Sequence, residues 1–137
     1  MVRDLTLVER LSRLHPAVVA DCLDRQGLRR QVLAPHIRPL TPTMRLAGFA
    51  ATVHCIEVDA VPESRDDWYR NELAFVDALQ PGDLVLGDHD GVVTIPAELG
   101  EEIVARAEEK LNGENLVREK LVEGMSVSEA FRTYGVI

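Results

Sequence analysis

The stretch Pro81-Gly-Asp-Leu-Val-Leu-Gly-Asp-His-Asp-Gly-Val-Val-Thr-Ile-Pro96 constrains this chain more than any other. Leu84 to Leu86 and Val92 to Ile95 are short apolar runs rich in branched side chains. Between them, Asp88-His-Asp-Gly91 has turn composition, since Asp and Gly accept the backbone angles of a tight reversal. The segment therefore reads as a hairpin. Pro96 suits the opening of a helix, where its missing N–H costs nothing. In that helix Leu99, Ile103, Ala107 and Leu111 recur every four residues, and Leu116, Val117 and Leu121 carry the stripe onward. Asn112-Gly113 is a candidate break or bend within it.

The flanking segments are punctuated in the same way. Thr6 and Glu9 have capping-box spacing ahead of Leu7, Val8, Leu11 and Leu14, which predicts a first short helix. Pro16 opens a second, and Gly27 suits its C-terminal cap. Residues 28–43 hold Pro35, Pro39 and Pro42 and read as an irregular connection. From Arg45 to Asp59 both alternating faces are largely apolar, the pattern of a strand covered on two sides, with Gly48 marking a bulge or a close backbone approach. Ser64 and Asp67 predict a third helix running to Leu79. Ser126 and Glu129 form a capping box, with Met125 as its staple, for a last helix ending at Gly135.

With 137 residues, no internal repeat and no flexible linker, one domain spanning 1–137 is expected. The composition is 46% hydrophobic, enough for a core, but only 4% aromatic, so that core is aliphatic. Fifteen basic against 23 acidic side chains leave a net charge of −8, which repels phosphate backbones and disfavours nucleic-acid binding. The same acidity suits a basic protein partner. Asp4 and Glu9 interrupt the region where a signal peptide would be apolar, and no run is long enough to span a membrane, so a cytoplasmic protein is expected. Cys22 and Cys55 are too few for a disulfide scaffold and read as small buried hydrophobes.

Chemistry-bearing residues are sparse. Glycine-rich phosphate loops, nucleophile elbows and the zinc-protease motif are absent, and His15, His36, His54 and His89 are scattered. The densest polar cluster is Asp88-His89-Asp90, where two carboxylates flanking an imidazole could bind a hard divalent cation. Turn chemistry alone explains the same three residues. Asp88 and Asp90 are the metal-ligand candidates. Glu57 and Asp59 share one face of their strand while His54 points to the other, so the three do not converge without a bulge. Glu101, Glu102, Glu108, Glu109, Glu114 and Glu119 make the long helix acidic, a solvated face to which Arg106 and Lys110 add cross-turn pairs.

The order of segments carries a family resemblance. Ala20-Asp-Cys-Leu-Asp-Arg-Gln-Gly27, Ile37-Arg-Pro-Leu40 and Leu46-Ala-Gly-Phe-Ala-Ala-Thr-Val53 resemble the N-terminal half of RraA-like proteins. That family includes the ribonuclease E activity regulator and class II 4-hydroxy-4-methyl-2-oxoglutarate/4-carboxy-4-hydroxy-2-oxoadipate aldolases. Val76-Asp-Ala-Leu-Gln-Pro-Gly-Asp83 and the hairpin segment resemble its Pro-Gly-Asp segments, and Gly124-Met-Ser-Val-Ser-Glu-Ala-Phe-Arg-Thr-Tyr-Gly135 resembles its ending. The resemblance implies a reduced swivelling-type β/β/α domain: an α/β fold with a small mixed sheet and flanking helices. It also implies Mg²⁺ or Mn²⁺, a small 2-oxo acid as substrate, and a homo-oligomer.

One departure bears on function. Family members have two Pro-Gly-Asp segments around a large central region, whereas this chain has one. The missing region carries the family's glycine-rich loop and the Arg-Asp pair that polarises the oxo acid and holds the metal. Arg3-Asp4 and Arg65-Asp66, the Arg-Asp pairs present, do not follow a strand ending in Asp-Gly and are no substitute. Two readings follow. The chain is a non-catalytic scaffold or interaction form with no catalytic residues of its own, or it is a metal-dependent lyase (an aldolase or oxaloacetate decarboxylase) with a rebuilt site. An internal deletion without a selected function is a third possibility.

Overall fold

Local signals set most of the element ends in the computed structural model, which describes residues 4–52, 64, 69, 70, 73, 77 and 82–135. Helix α1 spans Leu5–Leu11. Its N-cap is Asp4, whose Oδ1 accepts the N–H groups of Thr6 at 2.9 Å and Leu7 at 3.2 Å. The expected cap at Thr6 therefore lies two residues too late, because Asp4 is the better-placed acceptor and charge-matched to a helix N-terminus. Helix α2 spans Pro16–Arg25 and opens on its proline as expected. It closes in a Schellman motif at Gly27, whose φ is 84°: Gly27 N–H donates to Asp24 O and Leu28 N–H to Leu23 O, each at 3.0 Å.

Strands β1 (Leu46–Phe49), β2 (Leu84–Asp88) and β3 (Gly91–Ile95) form a sheet in the order β1-β2-β3. Both pairings are antiparallel, so among the described residues the sheet is not the mixed one expected. Register runs unbroken through Gly48, opposite Val85, and a Cβ there would meet open space. Neither a bulge nor a close approach occurs at that glycine. Residues 31–33 add a short edge to β3, with Leu33 N–H donating to Val92 O and Thr94 N–H to Gln31 O, both at 2.8 Å. The expected third helix and the strand beyond Thr52 lie largely outside the described residues, and His54, Cys55, Glu57 and Asp59 lie wholly outside them.

A 3₁₀ turn at Ala97–Leu99, whose first N–H is accepted by Asp83 Oδ1 at 3.2 Å, leads into α3 (Gly100–Val122). This helix is continuous through Asn112 and Gly113, where a break was a candidate. A helix interior tolerates one glycine at about 1 kcal/mol, and the stripe on either side holds α3 in place. The last helix, α4 (Val127–Tyr134), is capped by Ser126 Oγ accepting Glu129 N–H at 3.2 Å and ends on left-handed Gly135, both as expected.

Parity along the strands decides where the core lies. Leu84 and Leu86 on β2, Val93 and Ile95 on β3, and Ala47 and Phe49 on β1 share the face that meets the helices. Against it pack Leu7, Leu11, Leu14, Val19 and Leu23 of the first two helices and Ile103, Val104 and Ala107 of α3. The protein is a mixed α/β fold with its helices on this face of a small sheet. On the other face Leu46 is 56% exposed. No helix among the described residues is long and apolar enough to cross a membrane.

Candidate functional site

Asp88 extends the buried row Leu84, Leu86 by one more position of the same parity, which places a carboxylate at the edge of the core. It is 9% exposed and is the buried charged residue among those described. Its Oδ1 accepts the N–H of Asp90 at 2.9 Å, fixing the hairpin turn. Its Oδ2 lies 3.8 Å from His15 Nδ1 and 4.0 Å from Arg45 Nη2. Arg45 also donates to the Leu14 carbonyl, at the junction between α1 and α2. Three segments distant in sequence are thus drawn together around one carboxylate: the helix junction, the start of β1 and the hairpin.

The contacts of Asp88 serve the hairpin and its surroundings. One oxygen of Asp88 is occupied by a turn N–H and the other faces a guanidinium, a competing positive charge. Asp90 is exposed and pairs with its neighbour, with His89 Nδ1 at 3.0 Å from its Oδ1. The two candidate ligands are close in sequence but serve different partners. Among the described residues, no group of three or more His, Cys, Asp or Glu side chains is placed to hold a metal ion.

A second arrangement lies on the helices. Cys22 and Arg25 are three apart on α2, while Arg106, Lys110 and Gly113 recur at four and three on α3, so each set shares one helix face. With Glu109 and with Tyr134 from α4, they line a cleft of about 570 Å³. Lys110, 12% exposed, is paired with Asp21 of α2 and lies 3.5 Å from Glu114. Arg106 Nη2 pairs with Glu102 at 2.8 Å. Arg25 makes no hydrogen bond or ion pair with any described residue. Burial pushes the Cys22 thiol above its ordinary value, against the opposing pull of Lys110.

Sequence reading found Asp88 and the pairing of Arg106 and Lys110 on α3, but not the cleft. Helical spacing puts residues on one face of their own helix and is silent about which helices face one another. The available signal was cationic: Arg25, Arg106 and Lys110 are three of only 15 basic residues in an acidic chain.

Neither a protein-family profile nor a curated protein sequence matches the chain. Solved structures share its fold, two of them as follows. One is the crystal structure of an uncharacterized protein from Pseudomonas syringae pv. tomato str. DC3000, 21% identical, with a TM-score of 0.74. The match covers 98% of this chain and 96% of that one. The other comes from work on novel cellulases from microbes associated with the gut ecosystem. It is 17% identical, with a TM-score of 0.60, and the match covers 83% of this chain and 87% of that one. At these identities the likeness extends to the fold alone.

Proposed function

We propose that this chain is an RraA-like protein without catalytic function, a reduced swivelling-type domain that acts as a scaffold or interaction module. The observation that carries the reading is the use of Asp88. A class II aldolase or oxaloacetate decarboxylase stabilises an enolate with a cation held by free carboxylates and an Arg donor. Here the buried acid among the described residues fixes the hairpin turn through one oxygen and has His15 and Arg45 within 3.8 and 4.0 Å of the other. The absence of an Arg-Asp pair in the family's context supports the same conclusion. Self-association is the interaction expected of such a scaffold.

The test is a coupled assay for pyruvate release from 4-hydroxy-4-methyl-2-oxoglutarate and from oxaloacetate, with Mg²⁺ or Mn²⁺ against EDTA. The expected result is no turnover above the metal-only background, from protein shown by circular dichroism to be folded. Metal-dependent turnover that disappears in Asp88→Ala or Asp90→Ala would replace the scaffold with a lyase rebuilt around the hairpin.

A further inference from the structure

The lining of the cleft between α2, α3 and α4 carries more basic than acidic side chains. It holds three cations, Arg25, Arg106 and Lys110, against one carboxylate, Glu109, in a chain whose net charge is −8. Two of the three have carboxylate neighbours: Arg106 pairs with Glu102 in an exposed ion pair of the kind that contributes little in water, and the less exposed Lys110 lies against Asp21 and, at 3.5 Å, Glu114, so a bound anion must take the place of these carboxylates. Arg25 needs no exchange, being unpaired among the described residues. Tyr134 of α4 closes another side of the cleft. The volume, about 570 Å³, lies in the range of small-molecule sites and exceeds what a bare inorganic ion fills.

We propose that this cleft binds a small organic phosphate, with Arg25, Arg106 and Lys110 holding the phosphoryl group. A carboxylate has two oxygens and one charge, which a single arginine satisfies. A phosphomonoester carries nearly two charges on three acceptor oxygens and matches several converging cations. Glu109 repels a second phosphoryl group and accepts a hydrogen bond from a hydroxyl, so the fitting class is a phosphomonoester of a small hydroxylated molecule. The site uses none of the hairpin residues, and its success or failure is independent of the scaffold reading.

Glycerol 3-phosphate is the probe, titrated at constant ionic strength into the isotopically labelled full chain and followed by the Gly113 amide and the arginine side-chain signals. Saturable shifts at Gly113, Arg25 and Arg106 are expected, with half-saturation below about 1 mM. Arg25→Gln and Arg106→Gln each weaken binding by about fivefold or more while leaving the ligand-free unfolding midpoint unchanged, since both side chains are exposed. Glu109→Gln tightens it by about threefold by removing a like charge. Inorganic phosphate competing for the same signals supports the phosphoryl assignment. Shifts that rise linearly, that sodium chloride reproduces, or that survive both arginine variants unchanged would overturn the proposal. So would pyruvate saturating the site more tightly than the phosphate ester does.

Discussion

Arg10 reaches from α1 to two glutamates of α3: it pairs with Glu101, and it meets Glu108 through Nε at 3.0 Å and Nη2 at 2.7 Å. Sequence showed Glu108 as one of six acids on a solvated helix face, because a partner 98 positions away leaves no trace in local spacing. The hydrogen bond from Arg10 holds the Glu108 carboxyl below its ordinary value. A carboxyl depressed in the folded state stabilises the fold above its unfolded pKa, roughly 4.3, and that contribution is lost as pH falls through the lower, folded value. Glu108 is still 34% exposed, so solvent screening limits the effect to about 1 kcal/mol or less. Urea midpoints measured between pH 6 and 3 should therefore fall with acid in the native chain and fall less in Arg10→Met. Parallel curves for the two proteins would remove Glu108 as a source of acid sensitivity.

Elements were legible where a single residue type sets their ends. Pro16, Gly27, Ser126 and Gly135 each mark a helix boundary, and Asp88-His-Asp-Gly91 marks the hairpin. Packing between elements was not legible, and Gly100 shows why. As the first residue of α3 it would pass for an ordinary helix start, yet a Cβ there would stand 2.5 Å from Leu84 Cδ1 and 3.2 Å from Leu7 Cδ2. The missing side chain lets the helix start sit directly on β2 and α1. Gly100→Ala tests which of two effects wins. Helix propensity favours alanine by about 1 kcal/mol, while overpacking a closed core costs about 1–3 kcal/mol. Leu84 is fully buried, so its side chain can move only by repacking the core, and the clash should prevail by about 1 kcal/mol. A lowered urea midpoint with an unchanged slope is the expected reading, and a raised midpoint would show that the Leu84 side chain relocates freely.

At the scale of the molecule, alternation and the four-residue stripe identified many of the residues that are buried, with Leu116 an exception, but not which of them meet in the core. Leu11, Leu14, Val19 and Leu23 from the first two helices, Leu84, Leu86, Val93 and Ile95 from the sheet, and Ile103 and Val104 from α3 belong to a single cluster. Ile103 is fully buried in it, whereas Leu116, further along the same helix, is 41% exposed. If one core holds sheet and helices together, a cavity at Ile103 must weaken both alike. Ile103→Ala should cost about 2–5 kcal/mol, a large part of the 5–15 kcal/mol typical of a domain. Helix loss followed by far-UV circular dichroism and sheet loss followed by the β2 and β3 amides should then move to the same lower urea concentration. Leu116→Ala, which opens no closed cavity, should move either transition by well under about 1 kcal/mol. Sheet amides that kept their native midpoint while the helical signal fell early in Ile103→Ala would mean that the hairpin carries a stability of its own. The helices would then be a separable layer rather than half of a shared core.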